Sequence, residues 1–299
     1  MSRRYKGSII KDTAPTITPA TGLQAGGTAV GIWSQGQVYQ ARGQSFWPRS
    51  VGESLYTTPG TYSWVAPANV TSVSIVCVGA TNAWTTDGSG KGGGGLGYKN
   101  NITVVPGNSY TVVVSGRDSA DDSYFINSTT VKGGRASGVT GGTWAGDGGG
   151  NGGNGGTGGA AGAGGAGGYA GNGGNGGNAG ANNGGAAAAG SGGGGGGAGS
   201  QNGGFGGGGG GVGLYGIGTT GAGGLTSTVA NDELGGGRGG SGGDNGSILN
   251  TGGAYGQAMY GGGLAGTYSG VSGGRVDGGA VRIIYPGNIR NFPSNASSL

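Results

Sequence analysis

The chain has 299 residues, of which 90 are glycine and only 9% are charged, with a formal net charge of +4. So little charge excludes a charge-driven disordered tail, and glycine at about four times its usual share of roughly 7% excludes an ordinary globular mix. With no histidine and a single cysteine, the chain lacks the commonest general base and metal ligand and cannot build an internal disulfide or a zinc site.

Residues 1–52 form a first segment. Arg3, Arg4, Lys6, Lys11, Arg42 and Arg49 stand there against Asp12 alone. A basic end of this kind suits docking on an acidic protein surface or on nucleic acid, or is simply solvated. Met1 to Asp12 lacks the apolar core of a secretory signal, and no stretch approaches the roughly 20 apolar residues that span a bilayer. A soluble chain without membrane insertion is therefore expected. Thr13 to Gly27 reads as an extended linker rich in Pro, Thr and Gly. Ser34 is placed to cap a short helix. Trp33, Tyr39, Phe46 and Trp47 are too many large apolar groups for a free tail and require a packing partner.

Residues 53–135 read as β-structure. Thr61 to Val65 alternates, and Val73 to Val78 has one clean apolar face in Val73, Ile75 and Cys77. Cys77 fits as a small buried hydrophobe. Asn101–Val105 and Tyr110–Val114 flank Pro106-Gly107-Asn108, which signals a hairpin. Tyr124-Phe125-Ile126 and Thr129-Thr130-Val131 predict a second hairpin through Asn127-Ser128. The late segment Gly279 to Tyr285 has the same strand character, and the only apolar sheet it could join lies more than a hundred residues upstream. The glycine-rich stretch between them is thus expected to be an insertion projecting from one β-domain.

Within that stretch, residues 151–180 read as ten triplets with Gly third, Gly or Ala second, and Asn, Ala, Thr or Tyr first. A period of three matches a polyproline-II-type helix, with two bare edges and one decorated ridge. Three readings of the glycine excess are open. A flexible linker is the usual fate of Gly-rich sequence, but serine is scarce and aromatic residues are interspersed. Collagen would need proline, and there is none between Pro106 and Pro286. A bundle of short polyglycine-II helices would satisfy the backbone through neighbours, with all-Gly inner helices such as 192–197 and 206–211. One helix of thirty residues would reach about 93 Å, so the triplet run should fold back. Ala186 to Ala189, Asn231 to Leu234 and Ser247 to Asn250 break the pattern and read as turns.

Chemistry is sparse. Asp118, Asp121 and Asp122 lack calcium-loop spacing, and adjacent Asp232 and Glu233 do not make a catalytic pair. The many G-x-G-x-x-G strings lack a strand–turn–helix setting. Arg-Gly-Gly occurs only around Arg238, so no nucleic acid is expected. No catalytic residue, metal or cofactor is expected, and the chain does not read as an enzyme.

Ser2 to Ser8, Ala29-Val30-Gly31-Ile32-Trp33, Tyr56 to Gly79, Gly279 to Tyr285 and Arg290-Asn291-Phe292-Pro293-Ser294 resemble virion proteins of tailed phages of marine bacteria, cyanophages among them. The glycine module resembles polyglycine-II sandwich domains of phage tail-fibre tip adhesins, whose distal loops contact the bacterial surface. The resemblance implies a virion structural protein, a tail-fibre or fibre-tip component on the virion surface. It implies partners among other virion proteins, a host surface glycan or outer-membrane protein, and a homo-oligomer, with a trimer favoured. The expected architecture is all-β, a small antiparallel β-sandwich-like domain carrying the helix bundle, without substantial α-helix. Residues 1–52 would attach to the virion, with Arg3, Arg4, Lys6, Trp33, Tyr39, Phe46 and Trp47 as candidates. Residues 53–140, completed by 276–299, would form the β-domain, and 141–275 the outward module. Trp144, Tyr169, Phe205, Tyr215, Tyr255, Tyr260 and Tyr268 are the candidate receptor contacts, with packing at the bundle edge as the alternative for each. Two other functions are kept: a capsid or tail decoration protein without a receptor, and an ice-binding protein, against which the largely Asn ridge counts.

Overall fold

The computed structural model describes residues 51–82, 88–117, 119–180, 184–200, 206–224, 260–263 and 278–294, together with Gln35. The virion-attachment candidates Arg3, Arg4, Lys6, Trp33, Tyr39, Phe46 and Trp47 lie outside the described residues, as do the turns expected at 231–234 and 247–250. All ten elements are strands: β1 Gly52–Tyr56, β2 Gly60–Val65, β3 Ser72–Val78, β4 Leu96–Thr103, β5 Ser109–Val114, β6 Ser123–Phe125, β7 Lys132–Gly133, β8 Trp144–Ala145, β9 Gly148–Gly150 and β10 Ala280–Tyr285. They form two five-stranded sheets, ordered β1-β10-β3-β4-β9 and β2-β5-β6-β7-β8, and every pairing is antiparallel.

The late strand β10 lies between β1 and β3, with Ile283 opposite both Ser54 and Ile75. Its alternation Val281, Ile283 matches the apolar face of β3, and pairing buries both. The two sheets share one buried cluster. Val73, Ile75, Cys77, Ile102, Val281 and Ile283 come from the first sheet; Trp64, Val112, Val114 and Phe125 come from the second. Trp64 centres the aromatic part, edge-on to Phe125 at 5.9 Å between ring centroids, and its indole N–H donates to Ser54 Oγ. Burial pushes the Cys77 thiol up, with weaker opposition from the Phe125 and Gly133 backbone, as befits a thiol in an apolar core.

Two strand expectations need correction. The segments flanking Pro106-Gly107-Asn108 do not pair with each other: β4 pairs with β3 and β5 with β2. The turn instead bonds back to Ala66, through Gly107 N to Ala66 O and Ala66 N to Asn108 O. The chain changes sheet there because Ile102 and Val104 on one side and Val112 and Val114 on the other all belong to the shared core. The second hairpin forms, but as β6 with Lys132–Gly133 rather than Thr129–Val131. Asn127 Oδ1 accepts the N–H groups of Thr129 and Thr130, and this local turn draws those threonines out of the ladder.

β3 is buried along its whole length, not on one face only. Its second face carries Val76 and Val78, which join Leu96, Ala280 and Ile284 of the same sheet with Ala166, Tyr169, Val212, Leu214 and Phe292. The glycine-rich chain therefore packs on the first sheet through residues around 166–169 and 212–214. Its hydrogen bonding also begins upstream of residue 141. Residues 88–95, expected within the β-domain, donate to Gly156, Gly138, Gly153 and Gly134 from Gly90, Gly92, Gly93 and Gly95.

Candidate recognition surface

The glycine-rich residues have a definite bonding order. In the run from Gly162 to Gly167, successive N–H groups turn to three different neighbours in rotation. Gly162 and Gly165 donate to Gly177 and Gly174, Ala163 and Ala166 to Gly207 and Gly210, and Gly164 and Gly167 to Lys91 and Gly94. Its carbonyls accept from three other segments: Gly153 and Gly156 donate to Gly165 and Gly162, Gly194 and Gly197 to Ala166 and Ala163, and Gly263 to Gly164. The run is thus surrounded by residues 172–180, 206–212, 88–95, 151–157, 192–200 and 260–263.

This crowding dictates the triplet. A Cβ on Gly162 would lie 1.8 Å from Gly197 O, on Gly164 1.9 Å from Gly153 O, and on Gly165 2.1 Å from Gly194 O. Real Cβ atoms cannot approach so closely. The first-position residues Ala160, Ala163 and Ala166 are themselves fully buried, so each has room for a methyl and no more. Tyr169 ends the series. Its ring stacks on Phe292 at 6.1 Å and lies 6.0 Å from Tyr98, and its hydroxyl donates to Gly213 O at 3.0 Å.

The outer segments keep the same triplet but expose its first position. Asn151, Asn154 and Thr157, and in the next segment Asn172, Asn175 and Asn178, are all exposed. The two segments run parallel, as Gly173, Gly176 and Ala179 donate to the carbonyls of Asn151, Asn154 and Thr157. In return the N–H groups of Asn151, Asn154 and Thr157 donate to Oδ1 of Asn172, Asn175 and Asn178, at 2.9, 2.8 and 2.9 Å. Gly141 N donates to Asn154 Oδ1 in the same way. Ala186–Ala189, expected as a turn, lies within a further bonded segment. Gly185, Ala188 and Ser191 donate to the carbonyls of Asn178, Asn175 and Asn172, and Ala187 and Gly190 to Gly224 and Gly221. Alanine tolerates that outer position because three of its methyls, on Ala186, Ala188 and Ala189, face solvent.

Among the described residues, the expected receptor contacts do not form one array. Tyr169 is 4% exposed and is corrected to a packing residue joining the glycine-rich chain to the sheet. Tyr215 is half-buried with the Arg282 guanidinium 4.0 Å from its ring centre. Tyr260 is half-buried, and burial, then the neighbouring Tyr215, raises its hydroxyl pKa. Trp144 is half-buried in β8. Phe205, Tyr255 and Tyr268 lie outside the described residues. The surface that is exposed and regular is the asparagine ridge, whose period was visible in the triplets but whose pairing across 21 residues was not.

A buried ionic cluster secures the same region. Arg282, fully buried, donates to Leu214 O at 2.9 Å and pairs with Glu53 at 2.6 Å. Arg290, also buried, reaches Glu53 at 3.5 Å and Gly52 O at 2.6 Å. One carboxylate thus ties β1, β10, the glycine-rich chain and the segment after β10 together. Asp122 has a structural task too, accepting from Lys132 Nζ and Arg135 N. Among the described residues no group of His, Cys, Asp or Glu is arranged to hold a metal ion. No helix among them is long and apolar enough to cross a membrane. Comparison with known proteins gives no match to a family model and none to a curated protein.

Proposed function

We propose that the glycine-rich residues form a polyglycine-II helix bundle packed on a β-sandwich, and that the protein is a virion structural protein acting as a tail-fibre or fibre-tip component that attaches to the host cell surface. The observation that carries the reading is the run 162–167, whose N–H groups rotate through three neighbours with a period of three. A helix of three residues per turn has no internal hydrogen bonds and must bond outward in that rotation. Ordering glycine costs more backbone entropy than ordering any other residue, and a shared network with two bare edges per helix offsets it. The core common to the two sheets supports the sandwich.

A dense scaffold with exposed polar ridges suits recognition, because it presents fixed polar groups in a regular row. The resemblance of the chain to virion proteins of tailed phages supplies the setting. Residues 1–52 dock on the particle, the glycine module faces the host, and the assembly is a homo-oligomer, a trimer by analogy with fibre proteins. Immunogold labelling of intact particles with antibody against residues 141–275 tests this. Gold at fibre or tail tips is expected; gold spread over the capsid would instead make the protein a decoration component and end the attachment reading.

A further inference from the structure

The asparagine rows present a surface of fixed polarity. Oδ1 of Asn154, Asn172, Asn175 and Asn178 each accepts a backbone N–H from the adjacent segment. A backbone N–H can only donate, so the partner settles which end of each carboxamide faces inward: oxygen in, Nδ2 out. The backbone carbonyls at Asn151, Asn154, Thr157, Asn172, Asn175 and Asn178 each accept an N–H from a neighbouring segment as well. The Nδ2 groups of the four braced asparagines donate to nothing among the described residues, and all four residues are exposed. Along each row the donors recur every three residues, about 9 Å apart in such a helix. No charged side chain interrupts either row.

We propose that this donor surface binds a carboxylate-bearing polysaccharide of the uronic-acid type. An ionised carboxylate is acceptor-only, so it matches a face whose braced carboxamides turn their donors outward, and hydrogen bonds to an ionised acceptor are about twice as strong as neutral ones. A polymer that repeats its carboxylates meets a scaffold that repeats its donors, and the scaffold is braced beforehand, so little freedom is lost on binding. The inference rests on the host-attachment reading and names the class of surface glycan that the module takes.

The test is affinity electrophoresis of the full-length protein through gels containing alginate, with dextran as the neutral control. The combined variant Asn154→Asp, Asn172→Asp, Asn175→Asp, Asn178→Asp keeps an oxygen for each backbone N–H and turns the outward donor into an acceptor. A second variant adds the same charge at exposed positions off the rows, Ala186→Asp, Ala189→Asp, Thr219→Asp and Thr220→Asp. The wild-type protein should be retarded by alginate and not by dextran. The row variant should bind at least about tenfold more weakly, the equivalent of losing one good charge-assisted bond, and the off-row variant should bind as wild type. Asn151→Asp, at a position whose side-chain oxygen braces no described backbone N–H, serves if the combined variant fails to fold, and should also weaken retardation. Wild type that alginate does not retard, or row substitutions no weaker than the off-row ones, would overturn the inference. Adsorption of wild-type protein to host cells, measured alongside, separates the two readings: adsorption without alginate binding sinks the ridge and leaves attachment standing.

Discussion

At the residue scale, what governs this protein is the size of a single substituent. Gly164 lies where a Cβ would come within 1.9 Å of Gly153 O, backbone that cannot swing aside. Gly164→Ala should therefore cost about 1–3 kcal/mol or more, seen as a fall in the denaturant midpoint. Thr157→Ala, at an exposed first position, should change it by less than about 0.5 kcal/mol. Asp147 shows a different dependence. Burial alone would raise its pKa, but the Asn100 N–H and the Lys99 ammonium outweigh this and hold it below the usual carboxylate value. A depressed carboxylate contributes stability that is complete above its ordinary pKa and is lost as the pH falls through the lower folded value. The wild type should thus lose melting temperature as the pH falls below about 4, and Asp147→Asn should lose less over the same window. An Asp147→Asn curve parallel to wild type would remove this residue from the acid response.

At the scale of elements, the joint between the glycine-rich chain and the first sheet is aromatic and ionic. Tyr169 is its aromatic anchor, packed between Phe292 and Tyr98. Tyr169→Ala should cost about 3–5 kcal/mol, and Tyr169→Phe, which keeps the ring and loses the bond to Gly213 O, about 1 kcal/mol. Equal effects of the two on the unfolding midpoint would contradict the packing role. The strands were legible because strand pattern is local: β2 and β3 fall where their residues alternate, and β5 and β10 where short runs of Val and Ile stand. Their partners were less so. Pro106-Gly107-Asn108 carries the residues of a hairpin, yet its bonds go to Ala66, because turn chemistry fixes a bend and not the strand that follows it into a sheet. The second face of β3 was not legible either. Val76 and Val78 look like the solvent side of an alternating strand until Ala166, Tyr169 and Leu214 arrive from far along the chain.

At the scale of the whole molecule, a chain with 90 glycines holds the described residues between 151 and 224 largely by backbone hydrogen bonds and its two sheets by apolar side chains. The period of three was legible in 151–180, and it distinguishes inner from outer runs: Ala160, Ala163 and Ala166 buried, Asn151, Asn154 and Asn172 exposed. Which run lies beside which was not legible, since glycine carries no side chain to specify a neighbour; the Asn Oδ1 contacts across 21 residues supply part of that register. Among the expected contact aromatics, Tyr169 misled for the same reason. An aromatic among glycines looks conspicuous in sequence, but Tyr169 is the group that fastens the glycine-rich chain to the sheet.

The ordered hydrogen-bond network of the described residues between 150 and 224 is the claim on which the rest depends, and residue-resolved amide hydrogen exchange tests it most directly. Protection lasting hours is expected for Gly162 to Gly167, and also for the amides of Asn154 and Thr157, which lie at exposed positions but donate to Asn175 and Asn178. Complete exchange of this stretch within seconds would show a flexible linker and contradict the network.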